Sequence, residues 1–256
     1  MIIPSEYAND SEGSGRIHSR RVRMIIGIYG FPDAGKTNFV EQLIGSLVKK
    51  GYTVSSVKHT PHEKTLDCEG KETWRHWKAG SDPVVFASRI ETTIIKHSET
   101  SADEIAKRIL RDYNPDVLLF QGFKEGSFQK VAFGKVGPRK GTVLTNPKLP
   151  RLIKHIETEV AFERVLGKLP GLDCMKCGLD CRGLAGEVLK GKRKLSACKE
   201  LSDLDVGIFL DGRRIPAGNF VSSIVHKTVH GMLSSLRGYE PGKEVEIRLK
   251  AGKRRV

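Results

Sequence analysis

The sequence predicts an α/β fold, a mostly parallel sheet flanked by helices, followed by a small cysteine-rich module and a short α+β piece. Three observations lead there. The apolar run MIIGIY, residues 24–29, feeds a glycine-rich turn, GFPDAGKT, and then a segment whose apolar residues recur at helical spacing. DVLLFQGF, residues 116–123, is continuously apolar at its centre, as expected of a parallel strand buried on both faces. Strand-like and helix-like stretches alternate between and beyond these two.

The elements follow in order. Residues 1–23 are polar, contain Pro4, Gly13 and Gly15, and read as a disordered leader, with Met24 a second candidate start. After the first strand, Phe39, Val40, Leu43, Ile44, Leu47 and Val48 define the first helix, and Gly51 has the position of its C′ residue. TVSSV, residues 53–57, reads as the second strand, ending in Lys58, His59 and Thr60. A polar loop precedes a helix over residues 71–79 that should bury Trp74 and Trp77. VVFAS (84–88) and ETTIIKHS (91–98) are close enough to pair as a hairpin. Ser101 and Glu104 form a capping-box pattern before a helix that Asn114 and Pro115 stop. KVAFGKV (130–136) and TVLTN (142–146) supply further strands, and residues 158–166 a further helix.

The turn at residues 30–37 carries the chemistry. A strand, a glycine-rich turn and a helix form the context of a phosphate-binding loop, so the first domain is of the P-loop NTPase type. Gly30, Phe31, Pro32, Asp33, Ala34, Gly35, Lys36, Thr37 and Asn38 form its binding stretch. Backbone N–H groups and the positive end of the helix converge on phosphate there, Lys36 adds a full charge, and the Thr37 hydroxyl suits magnesium. A nucleoside triphosphate is the default ligand. Ligands of open α/β sheets sit at the carboxyl ends of the strands. That rule selects Lys58 and His59, the Asp67 loop, and residues 121–124 for the same edge. Lys58 and His59 could touch phosphate, order the loop, or be an ordinary surface pair.

The formal charge is +14, from 44 Lys and Arg against 30 Asp and Glu. The basic residues are scattered, without the aromatic interleaving of a base-stacking surface, so phosphate-rich ligands are favoured over nucleic acid. No apolar run approaches the ~18 residues a membrane helix needs, which predicts a soluble protein with no membrane partner. SRRVRMIIGIYG resembles a twin-arginine export signal, but its apolar part runs straight into the phosphate loop, so export is not expected. Five cysteines, four of them clustered, then point to metal ligation in a reducing cytoplasm.

GFPDAGKT, VKHTPHE, Asp67, GKETW, residues 78–80 (KAG) and LLFQGFK occur in an order and spacing that resemble the molybdopterin-guanine dinucleotide biosynthesis protein B family, over roughly residues 24–136. The resemblance implies a small GTP-binding adapter, at most a weak GTPase, that works with the molybdenum cofactor guanylyltransferase on molybdopterin or a cofactor-dependent apoenzyme, and that could form a homodimer. It implies Lys36 as a catalytic candidate together with the residue before GFK. That residue is usually acidic in the family and here is Gln121. A carboxylate could hold magnesium or polarise water, whereas a neutral amide can only orient water by hydrogen bonds. Binding is therefore expected and vigorous hydrolysis is not. Asp67 is the remaining carboxylate candidate for magnesium beside Thr37, against the alternative of an ordinary loop aspartate. TNPKL, residues 145–149, partly matches the NKxD base-reading motif of GTPases but lacks its aspartate, and reads as a turn. GTP is implied by the family alone.

The second informative stretch carries Cys174, Cys177, Cys181 and Cys198. Three close thiols and one distant one suit a loop that wraps a 4Fe-4S cluster before the last residue closes it. Zinc, which prefers two separated Cys pairs in structural sites, and an absence of metal remain alternatives. Leu184, Ala185, Val188 and Leu189 form the stripe of a short helix, ending at Gly191, that returns Cys198 toward the others. The spacing resembles the small four-cysteine 4Fe-4S domain of corrinoid iron-sulfur proteins, with the 177–181 gap one residue short. Cys68 lies apart and reads as an unremarkable thiol.

Beyond residue 204, DVGIFLDGRRI suggests a hairpin through Asp211 and Gly212, FVSSIVHKTVHGMLSSL an amphipathic helix, and EVEIRLK a closing strand. His226 and His230 stand one helical turn apart without a third ligand, which favours a solvated or core-flanking pair. The expected organisation is a leader at 1–23, a nucleotide-binding domain at 24–167, a cysteine module at 168–201 and an α+β module with a basic tail at 202–256. Two functions compete: the GTP-binding adapter of cofactor guanylylation, and a nucleotide-gated iron-sulfur electron carrier or cluster-delivery ATPase.

Overall fold

The structure is a computed structural model that describes residues 24–31, 35–60, 62, 64–201, 206–210, 213–240 and 245. The leader, Pro32, Asp33 and Ala34 of the loop, the Asp211–Gly212 turn and most of the EVEIRLK segment lie outside the described residues. Two compact units meet in sequence between Lys154 and His155.

In the first unit the elements are β1 (Met24–Gly30), α1 (Lys36–Lys49), β2 (Val54–Lys58), α2 (Glu72–Lys78), β3 (Val84–Ala87), β4 (Thr92–Ile95), α3 (Ala102–Asp112), β5 (Val117–Gln121), β6 (Gln129–Phe133) and β7 (Thr142–Thr145), with the start of α4 (Leu149–Lys168). The five-stranded sheet has the order β2-β5-β1-β6-β7. Every neighbouring pair in it is parallel. The mostly parallel α/β fold expected from the sequence is therefore present. β1 is central, in register with β5 at Met24↔Val117 and with β6 at Ile26↔Gln129. Because parallel strands wrapped by helices lose solvent on both faces, Ile26, Ile28, Val117, Leu118 and Phe120 are fully buried. Each contributes about 1.5–3 kcal/mol relative to exposure.

Polar contacts set the strand ends. At the amino end of the sheet, Asp116 Oδ2 accepts from Thr53 N at 2.8 Å and from Thr53 Oγ1 at 2.7 Å, while Asp116 N donates to Thr53 Oγ1 at 2.9 Å. This clasp starts β2 and β5 level, so that both finish at the same carboxyl edge. The capping box on α3 is formed as expected, with Ser101 and Glu104 bonding each other's backbone N–H.

β3 and β4 pair antiparallel as the expected hairpin, Val84↔Ile95, and form a two-stranded sheet of their own. Three expectations need correction. Trp74 and Trp77 are only half-buried on the seven-residue α2. Trp77 stacks on His97 of the β4 end at 3.8 Å, and Lys78 Nζ lies 4.3 Å from the Trp77 ring centre, so a small hairpin and a lysine cover rings that the main sheet does not. β6 stops at Phe133, where Gly134 turns to φ 82°. α4 begins at Leu149 rather than near 158, because Pro150 falls in the first turn, where a missing N–H costs nothing.

In the second unit the end of α4 meets α5 (Cys181–Leu189), a single 3-10 turn at Leu195–Ala197, the short pair β8 (Ile208–Leu210) and β9 (Arg213–Ile215), and α6 (Asn219–Leu233). Its core joins Ala161, Val165 and Leu169 to Cys181, Leu184, Ala185, Val188 and Leu189. β8 and β9 pair antiparallel with Leu210 opposite Arg213, which is the expected hairpin register. No helix among the described residues is long and apolar enough to cross a membrane.

Candidate nucleotide-binding edge and cysteine module

The carboxyl edge of the sheet is built from backbone approaches that only glycine allows. Gly30 ends β1 opposite Phe133, and a Cβ there would lie 2.2 Å from the Phe133 carbonyl oxygen. Gly35 adopts φ 71° at the N-cap of α1, a left-handed conformation that releases the following amides toward the loop. Lys36 Nζ donates to the carbonyl of Phe31, so the lysine spans the loop. Phe31 itself is exposed, and Asn38 turns its Oδ1 to Gln42 Nε2 at 2.9 Å along α1.

Gln121 Nε2 donates to Thr37 Oγ1 at 3.2 Å, joining the end of β5 to the first turn of α1. The neighbouring strand ends are tied to the same point. His59 N donates to the Gln121 carbonyl at 2.8 Å, and Gly122 N to the Ile28 carbonyl at 2.9 Å. Gly122, at φ 101°, has the His59 carbonyl 2.5 Å from where a Cβ would stand. The His59 ring stacks on Phe123 at 4.1 Å, and its buried Nδ1 has no hydrogen-bond partner. His59 thus organises the β2 and β5 ends, while Lys58 is exposed.

Asp67 is held rather than loose. Its Oδ1 accepts from Cys68 N at 2.9 Å and from Thr73 Oγ1 at 2.7 Å, and its Oδ2 is buried without a partner. An orphaned buried carboxylate oxygen suits a cation, which fits magnesium better than a solvated loop aspartate would. Gly122 and Phe123 fall in the stretch 121–124 that the sequence selects for this edge, but their contacts with His59, and the hold of Thr73 on Asp67, were not foreseen. Their signal lay in the GKETW and GFK stretches, but the partners are set by the fold.

At the far end of the same edge Asn146, at φ 45°, accepts from Gly134 N at 2.7 Å and returns an N–H to the Gly134 carbonyl at 3.3 Å. What reads as a turn is thus a side-chain bridge between the ends of β6 and β7.

In the second unit Cys181 is buried in the apolar core with Cys177 and Cys198 packed against it, and Cys174 is exposed. Asp180 caps α5, accepting from Gly183 N at 2.6 Å, and Asp173 Oδ1 accepts from Cys181 N at 2.9 Å. Arg193 Nη1 donates to the Cys177 carbonyl at 2.7 Å. Burial pushes the Cys198 thiol above its ordinary pKa, and the nearby Cys181, Cys177 and Cys174 add to this, so the four thiols share one neighbourhood. Lys176, between Cys174 and Cys177, pairs with Glu200 at 2.5 Å and holds its carboxyl below the usual range. No group of three or more His, Cys, Asp or Glu side chains among the described residues is arranged to hold a metal ion. The donor set of four thiols is nevertheless one for a soft metal or iron-sulfur cluster. The His226 and His230 rings stand 5.7 Å apart, and His230 meets Tyr239 edge-on.

Known proteins place both regions. The family model for molybdopterin guanine dinucleotide synthesis protein B, MobB, matches residues 25–156, and a second model, described as "Putative Fe-S cluster", matches residues 169–200. A Methanocaldococcus jannaschii protein named "Putative molybdopterin-guanine dinucleotide biosynthesis adapter protein" is 28% identical over 238 residues, covering 90% of this chain and 98% of its own length. The Haemophilus influenzae molybdopterin-guanine dinucleotide biosynthesis adapter protein is 34% identical over 109 residues, 42% of this chain and 61% of its own. The crystal structure of Bacillus subtilis MobB aligns with 53% of this chain and 97% of its own at 18% identity and a TM-score of 0.42. With the family model spanning more than half of its residues, the chain belongs to the molybdopterin guanine dinucleotide synthesis protein B family.

Proposed function

We propose that this protein is a GTP-binding adapter in molybdopterin guanine dinucleotide biosynthesis, with weak or partner-dependent GTP hydrolysis. The observation that carries the reading is the glycine-lysine loop after β1, whose Thr37 is tied to Gln121 at the end of β5, in a chain of this family. The names of its relatives support the role of adapter. The backbone N–H groups of the loop from Gly30 to Thr37, to which Pro32 adds none, and Lys36 bind the phosphates, and Thr37 with Asp67 holds magnesium, for which the unpartnered Asp67 Oδ2 is the supporting feature. Magnesium, when bound, neutralises charge on the phosphates. Gln121 orients water without accepting its proton. The partner is a molybdenum cofactor guanylyltransferase, together with molybdopterin or an apoenzyme that receives the cofactor, and the compartment is the cytoplasm.

Cys174, Cys177, Cys181 and Cys198 hold a 4Fe-4S cluster, with zinc the alternative metal; the cluster supplies electron transfer or a redox-sensitive docking surface. The domain organisation consistent with this is 24–167 for nucleotide, 168–201 for the cluster and 202–256 for the α+β module. Exposed Cys174 favours the second reading, a nucleotide-gated iron-sulfur electron carrier or cluster-delivery ATPase, since an accessible ligand eases electron or cluster exchange. Affinity for GTP and ATP in wild type and Lys36→Ala tests the reading. A loss of GTP affinity of about ten-fold or more in the variant is expected from one charged hydrogen bond. Equal affinities in both proteins would sink it, and tighter ATP than GTP binding would favour the second reading.

A further inference from the structure

Resting on the proposal that the four cysteines hold a cluster, we infer that Glu200 is a positioning residue of that site which also caps α6 from outside the helix, so that filling the cysteine site and ordering the start of α6 are linked. α6 begins at Gly218, which has no side chain to satisfy the free N–H groups of the first turn. Those groups need an acceptor, and a negative charge suits the positive end of a helix. The acceptor comes from the cysteine module, where the Glu200 carboxylate takes the Asn219 backbone N–H.

Glu200 in turn is held by the segments that carry the thiols. Its Oε1 accepts from the Lys176 ammonium, which stands in the loop between Cys174 and Cys177. Its own backbone N–H donates to the Cys198 sulfur. At the helix start the fit is close: a Cβ on Gly218 would lie 2.6 Å from Glu200 Oε2 and 3.1 Å from Leu172 Cδ1. Chain from before Cys174 and chain from after Cys198 thus meet α6 at one glycine. A cluster held by Cys174, Cys177 and Cys198 fixes both segments, and with them the cap. Coupling of this kind is reciprocal, so an ordered cap steadies the cluster by the same factor. Phe220, in the first turn of α6, is 75% exposed, so the state of the thiol site reaches the surface there.

The test is hydrogen exchange of the full chain, purified without oxygen and compared before and after a chelator strips the iron, on wild type, Glu200→Ala, Gly218→Ala and Glu187→Ala. In wild type the amides of residues 219–224 should exchange about five-fold faster or more once stripped, the effect of losing one helix cap. Glu200→Ala removes the cap, and Gly218→Ala wedges it away without changing charge. Both should exchange fast in either state and release iron to the chelator faster than wild type by a similar factor. Glu187→Ala removes a carboxylate of the same module that pairs with Lys190 and Lys192 instead, and should behave as wild type. Equal exchange in filled and stripped wild type, a filled-to-stripped difference that survives in Glu200→Ala, or the same acceleration in Glu187→Ala would overturn the inference. The first comparison needs no variant. If anaerobically purified wild type held neither iron nor sulfide, the cluster reading beneath would fail instead.

Discussion

Gln121 donates its side-chain amide to the Thr37 hydroxyl across 3.2 Å, so the end of β5 is fastened to the first turn of the phosphate-loop helix. The bond uses an acceptor lone pair of the oxygen proposed to ligate magnesium, and the amide offers no base to an attacking water. Gln121→Glu reverses both effects. The Thr37 hydroxyl would donate to the carboxylate, its lone pairs would turn to the metal, and the carboxylate would polarise water. Magnesium-dependent phosphate release from GTP should rise about ten-fold or more. Release at the wild-type rate, with GTP still bound, would remove Gln121 as the reason for weak hydrolysis.

Gly122 is where the edge leaves least room. At φ 101°, with the His59 carbonyl 2.5 Å from a prospective Cβ, the position combines left-handed strain with a backbone clash. Gly122→Ala should separate the β2 and β5 ends, unstack His59 from Phe123 and displace Gln121 from Thr37. The expected loss is about 2 kcal/mol or more, read as a lower denaturation midpoint. Gly186→Ala on α5 is the contrasting control, since a Cβ there meets nothing within 4 Å. Equal stability of the two variants would contradict the assignment.

The clasp between Thr53 and Asp116 is a separate source of stability. Thr53→Val keeps volume but removes a donor to Asp116 Oδ2 and the acceptor for Asp116 N, leaving the Thr53 N–H bond at 2.8 Å in place. Stripping partners from a carboxylate that is 8% exposed should cost about 1–3 kcal/mol. Urea unfolding measures it, and Thr53→Ser, which retains the hydroxyl, should restore most of the loss. A Ser variant as weak as Val would show that packing of the methyl group matters instead.

How far the sequence carries the fold can be followed in particular residues. β1, α1 and β5 were legible because burial on both faces and helical periodicity leave a strong local pattern. The start of α4 was not, since Pro150 signals a break unless it is known to lie in a first turn. The half-burial of Trp77 depends on His97, twenty residues away on another element, and no local pattern encodes that stacking. The placement of Lys36 and Thr37 at the start of α1, after the glycine turn, was legible from motif and context. The role of His59 as a stacking partner of Phe123, the hold of Thr73 on Asp67, and the amide bridge from Asn146 to Gly134 were not. Each is a contact between residues whose types are common and whose meeting is decided by strand order.

The cysteine module makes the last prediction. Cys177, Cys181 and Cys198 meet on one apolar cluster, with exposed Cys174 acting on the same Cys198 thiol, whereas Cys68 sits in the loop beside Asp67 in the other unit. Protein purified without oxygen should carry about four iron atoms and as much acid-labile sulfide per chain. Cys198→Ala should lose most of both, because a cube held by three thiolates and no closing residue is readily shed. Cys68→Ala should retain them. About one zinc per chain and no sulfide would replace the cluster by a structural zinc site. If iron were instead lost equally from Cys68→Ala and Cys198→Ala, the four-thiol assignment would fall, since the two residues stand in different compact units and only one belongs to the module.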